Sequence, residues 1–210
     1  MDFQPLHDAI LEFQDERVVQ QVQAALDAGV APKEIILSGL AKGMLLVGEK
    51  YERKEYFAAE MLRASRAFNK GMAILSPLIQ QNGENSVGKV VLGLVKGNTQ
   101  DNGKNIVKIF LEANNFTVVD LGKNVPSAKF MAEAEANQAD LIGISIMTTS
   151  GVIQAREVLT SLADQGIRGK YKVFIGGASA NPEIAKRIGA DGYAPDAGEA
   201  VTLARALVGH

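Results

Sequence analysis

From Lys89 onward the sequence alternates five times between a short apolar run and a stretch with helical spacing. KVVLGLV is followed by 101–114, FTVVDLG by 126–137, LIGISIM by 150–165, YKVFIGG by 181–188 and GYAPD by 197–208. Strands joined by helix-length connections pair in parallel, and near-continuous apolar strands are buried on both faces. The pattern therefore predicts a five-stranded parallel sheet covered by crossover helices. Pro126 and Pro182 suit first helical turns, the second behind Asn181 as a cap.

The polar, turn-rich segment NGENSVGK, residues 82–89, separates this half from a different one. Before it, Leu37, Leu40, Met44, Val47 and Tyr51 recur at helical spacing, and Phe57, Met61, Phe68, Met72 and Leu75 keep to one face. Three or four helices packed as a small bundle are expected, with Pro32 in a first turn and Pro77 where the longest helix stops or kinks. The expected domains are residues 1–87 and 88–210.

Composition narrows the chemistry. The chain of 210 residues carries a formal charge of −2, divided as −3 for residues 1–87 and +1 for 88–210, with no block of like charges. Neither nucleic acid nor a membrane surface is expected as a partner. The absence of cysteine removes disulfides, thiolate metal sites and thiol nucleophiles together. The acidic, mixed start MDFQPLHDAILEFQDE has no leader pattern, and the expected location is the cytoplasm. The histidines are His7 and His210, each expected as part of an exposed chain end.

In a parallel sheet a ligand sits beyond the carboxyl ends of the strands, where strand order reverses. The loops to read are GNTQDNG (97–103), MTTSG (147–151) and GGASA (176–180). Each is small, polar or glycine-rich, so backbone can approach a ligand closely and helix N-terminal N–H groups are available. GNTQDNG is not G-x-G-x-x-G, which argues against a nicotinamide dinucleotide. A flavin mononucleotide could use Thr99 and Asn102 for its phosphate, but the other loops lack an aromatic to cover the ring. Lys104, at the start of a helix, is expected to be solvated.

The spacing of these loops resembles the cobalamin-binding domain of methionine synthase, the corrinoid methyl-carrier proteins and the cobalamin-dependent mutases. Their pattern is Asp-x-His-x-x-Gly, then Ser-x-Leu, then Gly-Gly. Here Asn98-Thr99-Gln100-Asp101-Asn102-Gly103, Ser145-Ile146-Met147 and Gly176-Gly177 occupy those places, with 41 and 28 residues between them. The flanks GKNIV and GADGYAPDAGEAV, and YERKEYFAAEMLRAS in the first half, resemble the carrier proteins as well. The resemblance implies an N-terminal helical bundle cap followed by a flavodoxin- or Rossmann-like sheet domain. It implies cobalamin held by Asn98 to Gly103, Ser145, Met147, Thr149, Gly176, Gly177 and Tyr193, with Met44, Phe57, Met61 and Leu62 of the cap on the corrin.

The chain departs from the family at the metal. The family's histidine coordinates cobalt from below and its aspartate orients that histidine, but Gln100 and Asn98 stand in those positions. A carboxamide is a poor cobalt ligand, so the expected cofactor is base-off cobalamin with no protein axial ligand. The tail slot implied by the resemblance needs no cobalt bond, with Gly103, Gly176 and Gly177 leaving room. The implied role is carriage of a methyl group taken from a methylated small molecule such as a methyl ether or methylamine. The implied partners are a donor-specific methyltransferase, an acceptor methyltransferase serving tetrahydrofolate or a thiol, and a reductive activator. No catalytic residue of the chain's own is evident. The alternative is a cobalamin sensor or store, or a paralogue without cofactor.

Overall fold

The structure, a computed structural model, describes residues 1–79, 86–98 and 102–209. The chain divides into two compact units, Met1–Asn82 and Gly83–His210.

The first unit is helical: α1 (Gln4–Leu11), α2 (Asp15–Asp27), α3 (Pro32–Glu34), a π-helical segment (Ile35–Ala41), α4 (Lys42–Glu52) and α5 (Ala58–Ile79). Pro32 opens α3 and Pro77 lies inside α5 close to its end. The path from Pro32 to Glu52 has no break, because the π segment carries α3 into α4. A π turn widens the helix and shifts the phase of the residues around it. Ile36, Leu40, Met44 and Val47 consequently line the core and Leu37 is half-buried, while Tyr51 is exposed in the last turn of α4. The expected apolar face thus holds in its middle and fails at both ends. Gly39, Gly43 and Gly71 let the helices close in, since a Cβ at any of them would stand under 3.0 Å from Leu6, Ile10 or Leu40 respectively.

The second unit is the alternating one: β1 (Gly88–Val95), α6 (Asn102–Ala113), β2 (Phe116–Val125), α7 (Ser127–Ala136), β3 (Leu141–Ser145), α8 (Thr149–Asp164), β4 (Lys172–Gly176), α9 (Pro182–Ile188), β5 (Gly192–Tyr193) and α10 (Ala197–Val208). All pairings are parallel, in the order β2-β1-β3-β4-β5. This is the flavodoxin-like order, which reverses between β1 and β3. β3 is buried throughout, as its unbroken apolar run requires, whereas the edge strand β2 buries Phe116, Leu121 and Val125, leaves much of the rest partly or fully exposed, and is bulged against β1 after Leu92. One core lies beneath α7, α8 and α9 around Val91, Ile142, Ile144 and Val173; another, around Leu92, Leu111 and Phe174, lies beneath α6 and α10. Asn181 caps α9 by accepting from the Ile184 N–H at 2.8 Å. Pro126 is the cap residue of α7 rather than a first-turn residue, its extended ψ of 154° turning the chain into the helix. Among the described residues no helix is long and apolar enough to cross a membrane.

Candidate functional site

Hydrogen bonds join the loops at the carboxyl edge of the sheet into one surface. The loop after β1 is held on both sides. Toward β2, the Lys96 N–H donates to the Val125 carbonyl at 3.0 Å and the Gly97 N–H to Asn124 Oδ1 at 2.8 Å. Asn124 can do this because it sits in the left-handed region, φ +56°, where asparagine is tolerated better than most residues. Toward β3, Asn98 Oδ1 accepts from the Met147 N–H at 2.9 Å and from the Thr148 hydroxyl at 3.2 Å. Asn98 is 1% exposed, and its Nδ2 donates to the Lys96 carbonyl at 3.2 Å.

The loop after β4 locks onto the same place. Ile146 N–H donates to the Gly176 carbonyl at 2.8 Å, and its carbonyl accepts from the Ser179 N–H at 3.0 Å. Gly177 has φ +102°, and a Cβ on it would lie 2.5 Å from the Ile146 carbonyl oxygen. Glycine is required there by backbone packing between two loops, and not by an open slot for a ligand. Gly176 is tight as well, with the Ala194 carbonyl 3.0 Å from where a Cβ would stand. Gly103 differs, since among the described residues nothing stands within 4 Å of a Cβ added to it. Of the glycines assigned to the tail slot, Gly103 is the one with room for a Cβ among the described residues.

The structure places the remaining expected residues as follows. Ser145 is buried at the end of β3, in register with Leu94 and Gly176, and no described residue hydrogen-bonds its hydroxyl. Met147 is half-buried, Thr149 is exposed in the first turn of α8, and half-buried Tyr193 pairs with Ile175 at the end of the sheet. Thr148, which the sequence did not single out, is the α8 cap, accepting from the Gly151 N–H at 3.2 Å while donating to Asn98. Asn102 begins α6. Thr99, Gln100 and Asp101 lie outside the described residues, as does His210. In the helical unit Met44 is a core residue at 4% exposure, whereas Phe57 and Leu62 are exposed at 64% and 70% and Met61 is half-buried.

Two expectations are overturned. Lys104 is not solvated: 1% of its side chain is exposed, and its Nζ lies 2.6 Å from Asp120 Oδ1 and 2.7 Å from Asn105 Oδ1. A lysine one turn into a helix reads as surface, but the mid-strand acid it meets on β2 is distant in sequence. Burial pushes the Asp120 carboxyl up, but the Lys104 and Gly122 hydrogen bonds and the charges of Lys104 and Lys108 outweigh it and hold it below the ordinary range. Glu112 goes the other way, raised chiefly by burial. His7 is not an exposed end either: it is 6% exposed, with Nε2 2.8 Å from the Ser38 carbonyl. A carbonyl only accepts, so Nε2 carries the proton in that contact and has no lone pair for a metal.

Among the described residues no three His, Cys, Asp or Glu side chains gather as a metal-binding group. What the described edge offers is backbone, the Ser145 and Thr149 hydroxyls, which no described residue hydrogen-bonds, and the exposed Gly103. That donor set fits a large ligand held by its amides and tail better than a bare cation held by coordination.

Models of the B12 binding domain match residues 3–76 and 88–202. The dimethylamine corrinoid protein 3 of Methanosarcina acetivorans is 38% identical over 201 residues, 96% of this chain and 94% of that protein. The chain belongs to the B12-binding corrinoid proteins. This corrinoid protein also matches the structure of the Methanosarcina barkeri monomethylamine corrinoid protein, with a TM-score of 0.80, 29% identity and coverage of 98% and 97% of the two chains. A chain of the methanol:cobalamin methyltransferase complex from Methanosarcina barkeri matches it with a TM-score of 0.59, 28% identity and coverage of 98% and 78%. The corrinoid protein described here is therefore a cobalamin-binding protein, and the loops that Asn98 and Ile146 tie together are its candidate cradle.

Proposed function

We propose that this corrinoid protein is a methyl carrier that holds cobalamin base-off at the carboxyl edge of its sheet, with no protein nitrogen beneath the cobalt. The observation that carries the reading is the convergence of the three spaced sequence elements at the β1/β3 reversal, joined by the Asn98 and Ile146 hydrogen bonds. Bound cobalamin supplies a metal centre able to accept a methyl group and to give it up. The chain's own residues bind and orient. Gly103 admits the nucleotide tail, Ser145 and Thr149 offer hydroxyls to it, and the N–H groups of the first turn of α8 face the same edge. Gln100 stands in the place of the family's metal-binding histidine, and its neutral carboxamide has no basic lone pair to give to cobalt.

The methyl donor of this reading is a methylated amine, the class named by the relatives. The group passes between a donor-specific methyltransferase and an acceptor methyltransferase, with tetrahydrofolate or a thiol as final acceptor and a reductive activator restoring the cofactor. Similarity to a chain of a methyltransferase complex supports partners of that kind. The exposed Phe57 and Leu62, together with Met61, are the cap residues available to a corrin, and Met44 is not.

The test is to mix the purified protein with hydroxocobalamin, desalt it, reduce the bound cofactor to cob(II)alamin and record its electron paramagnetic resonance spectrum. Stoichiometric colour should remain, and the cobalt lines should lack the threefold splitting that one axial nitrogen produces. Loss of all colour on desalting refutes the carrier reading. Retained colour with threefold splitting refutes only the vacant lower site.

A further inference from the structure

The resemblance treats Asn98 as an orienting acid that has been lost, but its surroundings describe a different part. Every polar atom of its carboxamide is engaged: Oδ1 accepts from the Met147 N–H and the Thr148 hydroxyl, and Nδ2 donates to the Lys96 carbonyl. These partners fix the orientation of the amide, since a backbone N–H only donates and a carbonyl only accepts. Thr148 has a single proton and gives it to Asn98, so the contact of 3.1 Å between the Thr148 and Ser150 hydroxyls takes its proton from Ser150. The side chain also needs space, which Gly151 provides: a Cβ there would lie 2.8 Å from Asn98 Nδ2.

A carboxylate does not fit this socket. It would keep both accepted hydrogen bonds but set a charged oxygen against the Lys96 carbonyl at 1% exposure, where water cannot compensate. The described groups that hydrogen-bond the Asn98 side chain are all uncharged: the Lys96 carbonyl, the Met147 N–H and the Thr148 hydroxyl.

We propose that Asn98 is the positioning residue of the cobalamin cradle, an uncharged latch that joins the loop after β1 to the loop after β3. The role rests on the cradle reading of this edge. The amide is directed into the crevice between β1 and β3, where the two loops need both a donor and an acceptor from one side chain. Asparagine at 98 and glutamine at 100 are then a matched pair: with no histidine to orient, the position takes the residue that best closes the loops.

The test uses Asn98→Asp and Asn98→Ala in the full chain, with melting temperature in the absence of cofactor and hydroxocobalamin affinity as the two readouts. The ionised carboxyl of Asn98→Asp lacks the donor; the protonated carboxyl regains it. At pH 8 Asn98→Asp should melt below the parent and bind hydroxocobalamin about tenfold more weakly, the scale of leaving one buried polar group unpaired. At pH 5 it should move back toward the parent in both readouts, while Asn98→Ala stays weak at both pH values. An Asn98→Asp protein indistinguishable from the parent at pH 8 overturns the latch. One that melts lower yet binds with parental affinity shows that Asn98 packs a loop without positioning a cradle, and overturns the proposal equally. A parent that retains no cobalamin sinks the cradle reading and this positioning role with it, an outcome distinct from a parent and variant that bind equally well.

Discussion

Lys104 Nζ lies 2.6 Å from Asp120 Oδ1, with 1% of the lysine side chain exposed and 24% of the aspartate. The pair bolts the first turn of α6 to the middle of β2. Its two ends are unequal. Replacing Asp120 by Asn leaves a buried ammonium without a counter-charge, whereas replacing Lys104 by Met leaves a carboxylate that keeps the Gly122 N–H and has Lys108 at 3.7 Å. Asp120→Asn should therefore destabilise by about 3 kcal/mol and Lys104→Met by about half as much. Chemical denaturation of the two variants checks the order; equal losses would show that water reaches Lys104.

The same pair sets an acid limit. Because the folded Asp120 carboxyl is held below its ordinary value, its contribution is complete above the unfolded value, about 3.9, and is lost as pH falls through the folded one. Glu112 acts with the opposite sign: its raised folded value means that its contribution is complete below the unfolded value and is lost as pH rises through the folded one. The difference in stability between the parent and Asp120→Asn should be constant near neutrality and shrink below about pH 4. Denaturation curves at stepped pH measure this, and a difference that instead grows with acid would refute it.

In the helical unit, Met44 and Leu62 should separate packing from contact. Met44→Ala empties a core position and should cost about 2–4 kcal/mol. Leu62→Ala, at 70% exposure, should change stability by no more than about 0.5 kcal/mol. If Leu62 touches the corrin, its variant should weaken cobalamin binding without moving the melt. A shifted melt for Leu62→Ala would place that residue in a core.

Gly103 and Gly177 should respond differently to bulk. Gly177→Ala forces a Cβ onto the Ile146 carbonyl at φ +102° and should lower the melting temperature with or without cofactor. Gly103→Trp sets its Cβ where no described atom lies within 4 Å, at an exposed position, so the fold should keep its melting temperature while cobalamin binding falls by at least about tenfold. A Gly103→Trp variant with parental affinity would show that the tail runs elsewhere.

Gln100→His, with Asn98 left in place, should create the threefold splitting in bound cob(II)alamin that the parent lacks. On the proposed reading the latch would hold the loop in the same place whichever side chain stands at 100, so no acid at 98 would be required to bring a ligand to the cobalt. A variant that binds cobalamin without gaining the splitting places the loop away from the cobalt.

The order of elements in the sheet unit was legible because periodicity is local. Unbroken apolar runs of strand length, each followed by a helix-spaced segment, leave parallel pairing as the way to bury them, and the loops at the carboxyl edge follow from that. The spacing of Asn98 to Gly103, Ser145 to Met147 and Gly176-Gly177 likewise needed only the chain. Strand order did not: β1 beside β3 rests on contacts such as Leu94 with Ser145, 51 positions apart.

The uses of individual polar side chains were decided by the tertiary structure alone. Lys104 reads as solvent-facing until β2 brings Asp120 beneath it, and His7 as a chain end until the π segment offers the Ser38 carbonyl. Phase within a helix is equally non-local in its consequences: the π turn at Ile35–Ala41 moved Leu37 off the face that its spacing assigned it, and Tyr51, on that face by spacing, is exposed in the last turn of α4. Asn98 carries the same lesson at the site. Its sequence position identifies which residue it replaces, but only the fold sets the Met147 N–H and the Lys96 carbonyl on its two sides, and those partners make an amide, with one donor and one acceptor end, the group that fits.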